Sequence, residues 1–73
     1  MIVASAIIKG DIIYVGKRHH NIIHDNPYVL KNCVQGFIDE KGEFMNRETA
    51  AAYAYAVGQI KEPSRYLFSE DLW

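Results

Sequence analysis

Residues 15–25, VGKRHHNIIHD, gather two cations, Lys17 and Arg18, a histidine pair, His19 and His20, and a third histidine, His24. Nitrogen donors at this density ligate a metal, bind an anion such as a phosphate, or simply face water at the start of a helix. The metal reading rests on His20 and His24, whose i, i+4 spacing sets two imidazoles on one helix face, with Asp25 and Cys33 as further ligands. Pro27 cuts that helix short at about Asn26, because the residue before a proline avoids the helical region, and no third ligand stands at a convincing offset. Catalysis needs a nucleophile with a base beside it. Cys33 with His19 or His20 is the pairing on offer, but no carboxylate has an informative spacing, and a lone cysteine is more often a small buried hydrophobe. The sequence therefore predicts no metal centre, no cofactor and no enzyme.

Anion binding asks for less: guanidinium or imidazole donors, backbone N–H groups, and an aromatic face if the ligand carries a base. Lys17, Arg18, His19 and His20 leave a strand end and enter a helix, whose first N–H groups favour an anion. Asn46 and Arg47 open a second helix, Arg65 follows in the tail, and Phe37 or Tyr28 offers a ring to a purine. The plain alternative is that Arg47 and Arg65 pair with surface carboxylates and that Asn46 only caps. Residue by residue that alternative is the stronger one. Two helix starts that both carry an arginine, in a chain with eight Lys and Arg, shift the balance toward an anion. Charge placement agrees: residues 1–36 hold four Lys/Arg against two Asp/Glu and all three histidines, whereas residues 37–73 hold four against seven.

The elements that must position these groups follow from pattern. IVASAII and IIYVGKR are rich in Ile and Val and flank Lys9-Gly10-Asp11, which predicts a hairpin of residues 2–8 and 12–18. Gly16 inside the second strand marks a bulge or a close backbone approach. HHNIIHD fits one or two helical turns with Ile22 and Ile23 inward, and PYVLKN a further short turn or loop. VQGFIDEKGEFMN predicts a second hairpin, 34–38 and 43–45, with Gly42 supplying the positive φ of its loop. The main helix is expected over 47–57, capped by Asn46 and ended by Gly58, with Glu48 in its first turn and Met45 stapled onto Ala50. Five alanines with Tyr53 and Tyr55 make it apolar on nearly every side, so cover from more than one direction is expected. The fold class is α+β: a small antiparallel sheet of two hairpins, a short helix after the first, and one main C-terminal helix, as a single domain over residues 1–73.

Seventy-three residues make one small core, and a chain of this size usually needs a staple. One cysteine excludes an internal disulfide, yet 49% of the residues are hydrophobic, and the tail ends in Tyr66, Leu67, Phe68, Leu72 and Trp73. A homo-oligomer is the staple that fits both facts. The apolar N-terminus is too short for a membrane span and lacks the basic start of a secretory signal, so a cytoplasmic protein is expected. A net charge of −1 argues against a general nucleic-acid binder.

The series GKRHHNII, QGFIDEKGEFMNRETA, GQI and LFSEDLW, spread from about Ile2 to Trp73, resembles the Thoeris anti-defence sponges, a group of small phage proteins. The resemblance implies a non-enzymatic protein of the host bacterial cytoplasm. It would bind a cyclic nucleotide immune signal, notably glycocyclic ADP-ribose and in some members cyclic di- or trinucleotides, and hold it intact. It also implies dimers or hexamers with pockets between subunits, arginines on phosphates, a ring on the base and an asparagine for polar contacts. Arg18, Phe37, Asn46 and Arg47 fall in the matching stretches, and Arg65 in the tail. The expected ligand-binding set is Arg18, His19, His20, Phe37, Asn46, Arg47 and Arg65. The rival expectation is a protein-interaction module that inhibits a host protein through its aromatic tail.

Overall fold

The computed structural model of the chain describes residues 1–27 and 31–73. Two hairpins, β1 (Ile2–Lys9) with β2 (Ile12–Gly16) and β3 (Val34–Asp39) with β4 (Phe44–Asn46), join in one antiparallel sheet of order β2-β1-β3-β4. Helix α1 (His19–Asp25) follows the first hairpin and α2 (Arg47–Ala56) the second, so the α+β architecture is as expected. A 3₁₀ turn, Ser69–Asp71, lies in the C-terminal segment. The turn expected within PYVLKN falls largely on residues 28–30 and, like stacking by Tyr28, lies outside the described residues.

The second hairpin closes as its loop residues dictate. The Asp39 carboxylate accepts the N–H groups of Lys41 and Glu43, each at 2.9 Å, and Gly42 takes a φ of 83°. Those bonds, the one from Glu43 first, hold the Asp39 carboxyl below its ordinary range.

Alternation along paired strands puts Ser5, Ile7, Phe37 and Met45 on one sheet face. Both helices pack there. Ile22 of α1 meets Ile7, with Tyr14, Ile23 and Cys33 around them, and α2 lays Ala50, Ala51 and Ala54 against Ile2 and Phe37. Gly16 permits the first contact, since a Cβ on it would stand 2.8 Å from Ile22 Cγ1. The close approach expected at Gly16 is there. The strand irregularity lies instead on β1, between Ile2 and Ala4.

Asn46 caps α2 through a 2.9 Å bond from the Thr49 N–H to its side-chain oxygen, with Glu48 in the first turn. Val57 is the C-cap and Gly58, φ 78°, stands one residue beyond it. Among the described residues α2 is covered on the side of Ala50, Ala51 and Ala54, and Ala52, Tyr55 and Ala56 face outward. Much of the tail closes the chain's own core: Leu67 is fully buried, and Leu72 and Trp73 pack on the same cluster. Among the described residues no helix is long and apolar enough to cross a membrane.

Candidate functional site

The first residue of α2 is the centre of the most connected polar cluster. Arg47 follows its cap directly, which places its guanidinium between the end of β3 and the extended tail. Nη1 donates to the Leu67 carbonyl at 2.8 Å, and Nη2 donates to the Gln35 side-chain oxygen and lies 3.5 Å from His19 Nδ1. In return the Leu67 N–H donates to the Arg47 carbonyl at 3.1 Å. The Phe68 ring lies 4.9 Å from the guanidinium carbon. Met1 pairs with Glu40 and His24 Nδ1 stands 3.3 Å from the Asp25 carboxylate, and among the described residues no carboxylate stands within ion-pair distance of Arg47. Partial burial draws its pKa below the usual arginine value, with the Glu70 charge opposing.

His19 lies beneath. Its Nε2 is 2.7 Å from the Gly36 carbonyl, which can only accept, so Nε2 carries the proton. Nδ1 is then the acceptor for the Ser69 hydroxyl at 2.6 Å. Ser69 Oγ also accepts the His19 backbone N–H at 3.2 Å and touches Ser5 Oγ at 3.0 Å, while Ser5 donates to the Lys17 carbonyl. Burial is the largest cause lowering the His19 pKa, and Arg47 acts in the same direction; the Gly36 bond opposes both. The imidazole is a neutral lock between sheet, α1 and tail. Its serine partner is buried as well, so the contact presents no nucleophile to a substrate.

Beside Arg47 a groove of about 450 Å³ is lined by Cys33, Val34, Gln35, Asn46, Arg47, Glu48 and Tyr66. It is a shallow depression, closer to an open surface than to an enclosed pocket, so a ligand there would be held from one side only. A larger cavity of about 630 Å³ lies between the end of α2 and the 3₁₀ turn, but its lining sets Glu62 and Asp71 against one cation, Lys61, which does not suit an anion.

The expected ligand residues are dispersed by this arrangement. Arg47 and Asn46 share the groove. Arg65 is exposed, its guanidinium carbon 5.3 Å from the ring of Tyr66, a groove residue. Arg18 precedes α1 and donates to a backbone oxygen of Trp73, while His20 faces water. His19 and Phe37 face inward, their rings edge to face with centroids 5.0 Å apart. Stacking of Phe37 on a base is corrected: its ring is fully buried and has no free face in this chain. Exposed aromatic rings stand instead at Tyr66 and Phe68. Gln35 and Ser69 are not marked by the sequence, and Tyr66 and Phe68 are marked only as hydrophobes of the tail. Their signal is the alternation in YLFS, which turns Leu67 and Ser69 inward and Tyr66 and Phe68 outward, as in any extended segment with one buried side. No group of three His, Cys, Asp or Glu among the described residues is placed to hold a metal, and Cys33 packs with the Ile7–Ile22 cluster.

No curated protein and no solved structure matches the chain. A family model does, along residues 1–73, and its description is Phage T4 y16D protein. The match runs the full length of the fold described above, and the chain belongs to that family of phage proteins.

Proposed function

We propose that this phage protein is an anti-defence sponge, which binds a cyclic nucleotide immune signal such as glycocyclic ADP-ribose and holds it without chemistry. The observation that supports the reading is Arg47: a half-buried guanidinium with no described carboxylate within ion-pair distance, beside an open groove. Arg47 and Asn46 would contact phosphate and ribose oxygens, Tyr66 would supply the ring that Phe37 cannot, and Arg65 and Arg18 would add charge from the tail and from the start of α1. The groove is open, so enclosing a cyclic dinucleotide requires a second copy of the chain, in keeping with assembly as a homo-oligomer.

The test is calorimetric titration of Arg47→Lys, which keeps the charge but loses the planar two-pronged donor. Binding of glycocyclic ADP-ribose or a cyclic dinucleotide should weaken about tenfold or more, the loss of a charge-assisted bond. Unchanged affinity in a variant with native circular dichroism would remove Arg47 from the site. One observation favours the rival reading, a module that docks on a host protein: Tyr66 and Phe68 are exposed side by side. Replacing both with serine should abolish host-protein binding if that reading holds.

A further inference from the structure

Around His19 four buried contacts join atoms that need a proton between them: Nε2 to the Gly36 carbonyl, Nδ1 to Ser69 Oγ, Ser69 Oγ to Ser5 Oγ, and Ser5 Oγ to the Lys17 carbonyl. A neutral imidazole and the two hydroxyls bring three protons, one each. One contact is therefore empty. With Nε2 protonated toward Gly36, Ser69 turned to Nδ1 and Ser5 turned to Lys17, it is the contact between the two serine oxygens, 3.0 Å apart. An imidazolium fills it. Nδ1–H then donates to Ser69, Ser69 turns to Ser5, and Ser5 keeps the Lys17 carbonyl. The His19 backbone N–H donates to Ser69 Oγ in both states.

Burial and charge keep that fourth proton out. The groups described around the ring are Ser5 from β1, the Gly36 carbonyl and the Phe37 ring from β3, Arg47 from α2, and Ser69 and Glu70 from the C-terminal segment. Of these only Arg47 and Glu70 are charged. Burial opposes the imidazolium most, Arg47 adds to it, and Glu70 acts the other way. Arg47 Nη2 stands 3.5 Å from Nδ1, and the same side chain lines the groove. The guanidinium thus faces the ring on one side and any groove ligand on the other.

We propose that the groove and His19 are coupled: an anion that settles on Arg47 draws a proton from solvent onto His19, and the Ser69–Ser5 chain accommodates it. The inference rests on the reading of the groove as an anion site and adds a proton to that site. It gives binding a pH dependence of fixed sign. The bound chain holds the proton more tightly, so affinity rises as pH falls through the bound-state pKa of His19 and levels off below the free-state one. The effect of one neighbouring charge is about tenfold in affinity.

Side-chain NMR of His19 against pH, in chloride and in sulfate at equal ionic strength, tests it, because sulfate keeps both charges throughout. His19 should titrate at higher pH in sulfate than in chloride. Arg47→Gln should titrate at higher pH in chloride alone, and sulfate should add nothing to that variant. Ser5→Ala removes the acceptor that Ser69 needs, so His19 should titrate at lower pH there. A titration that sulfate leaves in place would overturn the proposal, as would one that loss of Arg47 leaves in place. If Arg47→Gln does not fold, Ser5→Ala decides, and an unchanged titration in it overturns the proposal. A nucleotide that binds with the same heat in buffers of different ionisation enthalpy takes up no proton; it would keep the sponge and overturn the coupling. A chain that responds to sulfate but gives no heat with any nucleotide would keep the coupling and discard the nucleotide.

Discussion

His19 shows how burial sets a charge state that the sequence leaves open. Three histidines within six positions look alike in the sequence, yet the structure turns His19 inward, leaves His20 in water and pairs His24 with Asp25. The difference follows from Ser69, fifty residues away, which no local pattern ties to position 19. Because the folded-state pKa of His19 is lowered, the unfolded chain takes up a proton that the fold resists once pH falls below the ordinary histidine value, about 6.5. Stability is therefore present above that pH and lost as pH falls through it toward the folded value. Thermal melts should show a Tm that declines between about pH 7 and pH 5, and His19→Asn should flatten that decline. An equal decline in the variant would assign the effect to another group. Glu48 provides a second residue-scale test. It lines the groove with Arg47 and would repel a phosphate, so Glu48→Gln should tighten nucleotide binding severalfold, read by the same titration. Weaker binding would mean that Glu48 contacts the ligand as an acceptor.

At the scale of elements, most of the fold was legible because its signals are local. Lys9-Gly10-Asp11 and Gly42 mark turns by backbone preference, Asn46 caps by its side chain, and Pro27 ends α1. The strand order was not legible, since nothing near Val34 in the sequence records that β3 pairs with β1. The packing of Gln59 was hidden for the same reason: its amide donates to the Ile2 carbonyl and accepts the Ile2 N–H, both at 2.9 Å, fixing the loop after α2 to the start of β1. The place of Asn46 and Arg47 at a helix start was legible, because capping is a local signal. Candidate-site residues were misread where burial decides, as for Phe37, because an aromatic residue in a strand fits core and ligand face equally well. Two glycines make the packing testable. A Cβ at Gly36 would stand 2.1 Å from the Met45 carbonyl oxygen, backbone that cannot yield without breaking the β3–β4 pairing. At Gly16 the obstacle is the flexible Ile22 side chain. Gly36→Ala should therefore lower stability by more than Gly16→Ala, about 3 kcal/mol or more against about 1 to 2 in urea unfolding. Equal losses would contradict the close packing at β4.

For the molecule as a whole, the described residues leave two surfaces of different character. The sheet face opposite the helices has no ionisable strand residue, whereas the groove beside α2 holds a guanidinium with no described carboxylate within ion-pair distance. Sequestration makes one demand above the rest, tight binding without turnover. At a Kd on the order of 1 nM, about −12 kcal/mol, a sponge removes a signal present at low concentration. Isothermal titration of the wild-type chain with glycocyclic ADP-ribose and a panel of cyclic dinucleotides, followed by heating and analysis of what is released, tests that demand directly. Nanomolar binding, with a stoichiometry tied to the oligomer and intact ligand after heating, is the result that sequestration predicts. No heat with any nucleotide, or release of a cleaved product, would contradict it.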